Sequence, residues 1–200
     1  MEEGLESLSK MAEDVDTLRV IFMLENGRFG RKSISKKLFL GEGYVRKILT
    51  KLEQKRLIKR SKKGTELTKK GIALIDEIKK TIYPAGAIAM QEYENMYGVV
   101  VKKASDKVDK GLEERDEAIR LGAKGAMIIT YEDNKFWFPS IECITDKYPE
   151  IDRAFRSCVK SLEDGDVIIA AWGDRKLDAE RGAFAAGILL ASKSGKKIKI

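Results

Sequence analysis

If residues 44–56 are helical, Val45, Ile48, Leu49 and Leu52 form one apolar stripe at i, i+3, i+4 and i+7, and Tyr44, Arg46, Lys47, Thr50 and Lys51 take the opposite face. Guanidinium, ammonium, hydroxyl and phenol groups are the donors that contact phosphate oxygens and base edges. Arg60, Lys62 and Lys63 follow, around a polar tip that ends in Gly64. Between residues 28 and 63 there are 14 basic side chains against two acidic ones, Glu42 and Glu53. A face that serves only solubility mixes signs. This one is strongly biased, and the chemistry it fits is the binding of a polyanion.

Other chemistries find little support. The chain has no histidine, and its two cysteines, Cys143 and Cys158, form no CxxC pair, so neither a zinc site nor a metal centre is expected. No GxGxxG, P-loop or GxSxG stretch occurs. Asp164, Asp166, Asp174 and Asp178 lie close in sequence, but carboxylates at turns and helix starts need no catalytic role. The expectation is a protein without enzymatic activity or cofactor. A second candidate site is Trp172, Gly173 and Asp174, where an apolar strand runs into a glycine turn and then a helix. Backbone N–H groups at such a place can meet a small ligand, and the same residues also serve as a plain turn with Asp174 as a helix cap.

Several elements must position the basic face. The chain of 200 residues carries a net charge of +7, and the first 83 residues hold 20 basic and 12 acidic side chains, so the whole excess lies there. A break is expected at Tyr83, Pro84, Ala85 and Gly86, giving domains 1–83 and 84–200. The acidic start and the shortness of the apolar runs, well under the ~18 residues that span a bilayer, predict a cytoplasmic chain with no membrane partner. The Lys- and Glu-rich composition is of the kind found in thermophiles.

Within the first domain Val15, Leu18, Ile21, Phe22 and Leu24 predict a helix that stops at Asn26 and Gly27. Leu8 and Met11 extend its stripe, either as packing within the domain or as a short coiled-coil seam. Ser33 is the expected N-cap of a second helix carrying Ile34 and Leu38. The groove helix 44–56 follows, then a hairpin over 58–68, then a helix over 69–82 with Ile72, Ile75, Ile78 and Ile82 on one face.

This order, and the segments from Ser33 to Leu40, Val45 to Leu49 and Leu52 to Ile58, resemble winged helix-turn-helix regulators. Leu67, Thr68 and Gly71 match the "LT-x-x-G" ending of that family. The resemblance implies that the third helix enters the major groove. The turn holds Gly41, Glu42 and Gly43 where many relatives carry Ser or Thr.

The second domain alternates: strands at 99–101 and 126–131, a turn at Glu132 to Lys135 returning through Phe136, Trp137 and Phe138, and a buried strand at 166–172. Helices are expected at 112–121, 148–162 and 177–191. Small residues from Gly182 to Gly187 fit close packing on the sheet or a subunit interface, and the aromatic trio Phe136, Trp137 and Phe138 fits core packing or an interface. The fold class is α+β: an N-terminal winged helix-turn-helix followed by a small α+β domain with a mainly antiparallel sheet. The whole is similar to archaeal two-domain regulators in which a winged helix precedes a C-terminal domain of unknown function, with Trp172 to Asp174 and Ala179 to Ala183 among the residues that carry the likeness.

The reading is a DNA-binding transcriptional regulator. Ser33, Tyr44, Arg46, Lys47, Thr50, Lys51, Arg60, Lys62 and Lys63 contact double-stranded DNA, and the second domain pairs a homodimer or senses a small-molecule effector. The alternative is an RNA-binding or protein-interaction module built on the same winged helix, with a ligand-binding second domain.

Overall fold

The computed structural model describes residues 2–159, 161–196 and 198, and for residues 2–8 the backbone alone. It divides into two compact units, one through Lys79 and one from Lys80.

In the first unit α1 (Glu2–Glu25) buries Val15, Leu18, Ile21, Phe22 and Leu24, as their spacing dictates. Leu8, named for the seam, lies outside the residues whose side chains are described. An ion pair is buried among these apolar residues. Arg19 Nη1 meets Asp16 Oδ1 at 2.9 Å with both side chains almost fully enclosed, and Arg19 Nη2 donates to the Leu38 carbonyl at 3.1 Å. The second bond fastens α1 to the end of α2 (Arg31–Leu38), which closes in a left-handed residue, Phe39. Ser33 does not cap α2. The helix starts three residues earlier than that cap would set it, Gly30 is its N-cap, and Ser33 sits half-buried in the first turn. The cause lies upstream, where Phe29 and Thr65 exchange backbone hydrogen bonds of 3.0 and 2.8 Å and release the chain into the helix at Gly30.

The third helix, α3, runs Glu42–Gln54 rather than 44–56, with Val45, Ile48, Leu49 and Leu52 buried. The hairpin follows as β1 (Ile58–Ser61) and β2 (Gly64–Leu67), antiparallel, with Lys62 and Lys63 at its tip. Next comes α4 (Lys69–Lys79). Thr68 opens it by accepting the Gly71 N–H at 3.1 Å on its hydroxyl. A Cβ on Gly71 would stand 2.1 Å from the Leu57 carbonyl oxygen, so only glycine lets α4 lie against the hairpin base. These two contacts are the physical content of the "LT-x-x-G" ending.

The fourth helix stops at Lys79, short of the expected Ile82. Ile82 opens β3 (Ile82–Ala87), and the residues expected as a break, Tyr83 to Gly86, are part of a strand. Proline is tolerated there because β3 pairs on one side only, with a register shift between Pro84 and Gly86.

The second unit is a six-stranded antiparallel sheet in the order β3, β4 (Tyr97–Val101), β8 (Asp166–Trp172), β5 (Gly125–Glu132), β6 (Lys135–Phe138), β7 (Glu142–Cys143). The strand β8 is buried on both faces, which is why it reads as an unbroken apolar run. One face is covered by α5 (Leu112–Arg120) and α8 (Lys176–Lys193). On it, Gly182 brings α8 against Ala118 and Ala123, and Gly187 brings it against Ile82 and Val99. The small-residue run therefore packs within the unit. The other face holds Val100, Ile129, Phe136, Ile168 and Ala170 with Ile144 of α6 (Ile144–Lys147) and Phe155 of α7 (Pro149–Cys158). The helix expected over 148–162 is thus shorter, and a turn of helix precedes it. The fold is α+β with a mainly antiparallel sheet.

Candidate nucleic-acid interface

Helical geometry splits the outer face of α3 into two flanks. One looks back to α1. There Lys47 Nζ reaches Glu13 Oε2 at 2.9 Å and Lys51 pairs with the other oxygen of the same carboxylate. The two ammonium groups, Lys51 foremost, hold the Glu13 carboxyl below its ordinary range, so it is ionised at neutral pH and cancels part of their charge. Tyr44 and Thr50 are half-buried on the same helix.

The other flank looks to the hairpin. Gly30, Arg31, Arg46, Leu49, Arg60, Ser61, Lys62 and Lys63 line a cleft of about 330 Å³. Two carboxylates touch its rim: Glu42 meets Arg31 Nη2 at 3.2 Å, and Glu53 meets Arg60 Nε at 2.9 Å. The Arg60 guanidinium lowers the Glu53 pKa, and Glu53 in turn raises that of Arg60. Five cations against two carboxylates leave three positive charges in excess. Among the described residues Arg46, Lys62 and Lys63 have no ion-pair partner. At the hairpin base Glu66 binds Arg28 Nε at 2.9 Å and Lys59 at 3.0 Å, which takes those two cations out of the free surface.

The expected interface residues are therefore brought onto one side of the unit but are not equivalent. Arg46, Arg60, Lys62 and Lys63 converge on the cleft, Lys47 and Lys51 are tied to Glu13, and Ser33 is half-buried in α2. Two participants escaped sequence reasoning. Glu13 is 34 and 38 residues from its partners, a separation no local pattern reveals. Arg31 was hidden by the expected cap at Ser33, which left it outside the helix it begins.

Trp172, Gly173 and Asp174 end β8 in the second unit. Trp172 packs on Tyr93 at a ring separation of 4.5 Å and lies over Gly125. The carbonyls of Gly173 and Asp174 accept from Asn95 Nδ2 at 3.2 and 3.0 Å, and the Asp174 carboxylate pairs with Lys124 at 2.5 Å. Asp174 does not cap α8, because Arg175 holds that position and binds Asp178 through both ends of its guanidinium. At the opposite end of β5 a cleft of about 380 Å³ is lined by Thr130, Glu132, Trp137, Phe138, Ser140 and Glu142. Phe136 is buried, whereas Trp137 and Phe138 are half-exposed beside this cleft. Both cysteines are free, and burial pushes the Cys158 thiol up to about 11, which keeps it protonated at neutral pH. No group of three or more metal-ligating side chains forms among the described residues, and none of their helices is long and apolar enough to cross a membrane.

Fold and site together define a two-unit chain: a helix-turn-helix with a basic hairpin wing, joined to an antiparallel α+β unit. Residues 13–73 match the PH0730-like N-terminal domain, and residues 93–190 match a domain of unknown function, DUF4443. The solved structure of hypothetical protein PH0730 from Pyrococcus horikoshii OT3 is 36% identical, with a TM-score of 0.76 over 89% of this chain and 92% of that one. No curated protein matches. The chain belongs to the PH0730-like family of two-domain proteins.

Proposed function

We propose that this protein is a transcriptional regulator that binds double-stranded DNA, with α3 in the major groove and the β1–β2 hairpin on adjacent phosphates. The observation that carries the reading is the cleft between α3 and the hairpin, where Arg46, Lys62 and Lys63 remain uncompensated beside Arg31 and Arg60. An exposed excess of cations on one side of a helix-turn-helix supports polyanion binding, and the groove-sized third helix supports a duplex as the polyanion. In this reading the second unit joins two subunits or senses a small molecule. The cleft beside Trp137 is roomy enough for an effector of small-metabolite size.

Fluorescence anisotropy across a salt series tests it, with the protein's own promoter as a duplex, random duplex and structured RNA as ligands. The expected result is tightest, salt-dependent binding to the promoter. Equal binding to RNA and random duplex assigns the unit to non-specific polyanion binding instead. No binding to any nucleic acid at low salt removes the proposal and leaves the winged helix as a protein-interaction module.

A further inference from the structure

The cleft of about 380 Å³ in the second unit holds an unfinished hydrogen-bonding group. Thr130 is 8% exposed, and its hydroxyl has no hydrogen-bond partner among the described residues. Its backbone is committed to the sheet, opposite Val167 of β8 and Trp137 of β6, so the side chain is what lines the cleft. An enclosed hydroxyl without a partner is costly, and valine fills the same volume at no such cost. Threonine at this position therefore points to a group that arrives from the cleft. Register sets what surrounds it. Residues opposite one another in an antiparallel pair share a face, so Trp137 stands on the side of Thr130, and Glu132, two residues along β5, stands there too. The Trp137 indole N–H donates to the Glu132 carbonyl at 3.4 Å. Its half-exposed ring has no aromatic or cationic neighbour among the described residues. The Glu132 carboxylate likewise forms no ion pair among them. Glu142, the other acidic residue of the lining, is occupied by Lys147 and the Tyr148 hydroxyl. The described lining contains no lysine or arginine, and Ile141, 70% exposed, adds apolar surface to it. The Ser140 hydroxyl donates to the Asp109 carbonyl at 3.2 Å, which ties the turn after β6 to the segment before α5 and fixes the walls in advance.

We infer that this cleft binds a small, free organic ammonium ion, selected by Glu132, Trp137 and Thr130. Thr130 and Glu132 stand about 7 Å apart along their strand, a span that one ammonium group bridges with N–H donors directed to either side. It donates to the Glu132 carboxylate and to the Thr130 hydroxyl oxygen, and the electron-rich face of Trp137 attracts the same charge. The carbon part of the ligand covers apolar surface of the indole and of Ile141. A neutral molecule of the same shape keeps the hydroxyl contact and forgoes the other two, and an anion is repelled by Glu132. The inference rests on the reading of the second unit as a sensor of a small molecule and names the class of that molecule. It does not depend on DNA.

The test uses the full chain and three probes of one shape: benzylammonium, benzyl alcohol and benzoate, which are positive, neutral and negative. The chain has two tryptophans, so isotope labelling gives two indole N–H resonances, and Trp137→Phe identifies the one that belongs to the cleft. Benzylammonium is expected to shift the Trp137 resonance saturably and to bind about fivefold more tightly than benzyl alcohol, the scale of one exposed ion pair. Benzoate is expected not to shift it. Glu132→Gln should remove the preference for the cation. Thr130→Val should weaken benzylammonium and benzyl alcohol alike, about threefold, without lowering the melting temperature, because the free protein loses no hydrogen bond. Four results overturn the inference: benzyl alcohol binding as tightly as benzylammonium, a preference that survives Glu132→Gln, benzoate binding best, or no probe shifting the resonance at millimolar concentration. A lowered melting temperature in Thr130→Val shows that the fold already uses the hydroxyl and overturns its role. Duplex anisotropy repeated with benzylammonium separates this site from the function proposed above. A cation that binds without changing duplex affinity keeps the site and ends the sensing role, and a chain that binds the cation but no duplex keeps the site and ends the regulator reading.

Discussion

The two flanks of α3 carry the same kind of side chain and are treated in opposite ways. On the α1 side, Lys47 and Lys51 share the carboxylate of Glu13. On the hairpin side, Arg46 stands with Lys62 and Lys63 in a cleft whose two rim carboxylates are already engaged by Arg31 and Arg60. Counting basic residues along the sequence weights the flanks equally. Pairing them in space does not: charge that is already neutralised attracts a polyanion weakly, and must be released before it contributes.

The comparison rests on a platform common to both flanks, and its failure should give the largest effect. Asp16→Ala leaves Arg19 charged and enclosed, which is expected to cost about 3–5 kcal/mol of stability, measured by urea unfolding of the full chain. A loss below about 1 kcal/mol would show that this pair does not hold α1 to the end of α2. Next in size is the contrast between flanks. Arg46→Ala should reduce duplex affinity about tenfold and Lys47→Ala about threefold or less, because Lys47 gives up an attraction already spent on Glu13. Equal losses would erase the distinction. Glu13→Gln sharpens it from the other direction: with both lysines released, affinity should rise a few-fold and the log–log salt dependence should steepen by about one. The smallest effect is on pH dependence. Because Glu13 has a folded pKa below its ordinary 4.5, its contact with the lysines stabilises the fold fully above about pH 4.5 and is lost as the pH falls through the lowered value. Thermal melts between pH 3 and 7 should therefore fall less steeply at the acid end in Glu13→Gln than in the wild type.

Features set by local periodicity were legible. The stripe on α3, the antiparallel pairing of β5 with β6 around Asp133 and Asn134, and the unbroken apolar run of β8 each announce themselves within a dozen residues. What escaped was settled by distant partners. Pro84 argues against a strand until it is known that β3 lies at the edge of its sheet. Ser33 is a better cap than Gly30 on intrinsic preference, and loses because the Phe29–Thr65 bridge fixes where the chain turns. The candidate interface was half readable in the same sense. The residue types and the face of α3 follow from spacing, whereas the division of that face depends on Glu13, far away in sequence.

The sheet of the second unit ends on one side in β3, which carries Pro84 and a register shift, and on the other in β7, only two residues long. Proline withholds a donor, the shift twists the neighbouring groups out of line, and a two-residue strand offers almost no ladder to extend. Both borders are poor templates for the addition of a further strand. The geometry of these borders favours side chains on helices and loops over strand pairing for any contact the unit makes, and such a contact can be taken apart by point substitutions that leave every strand of the monomer in register.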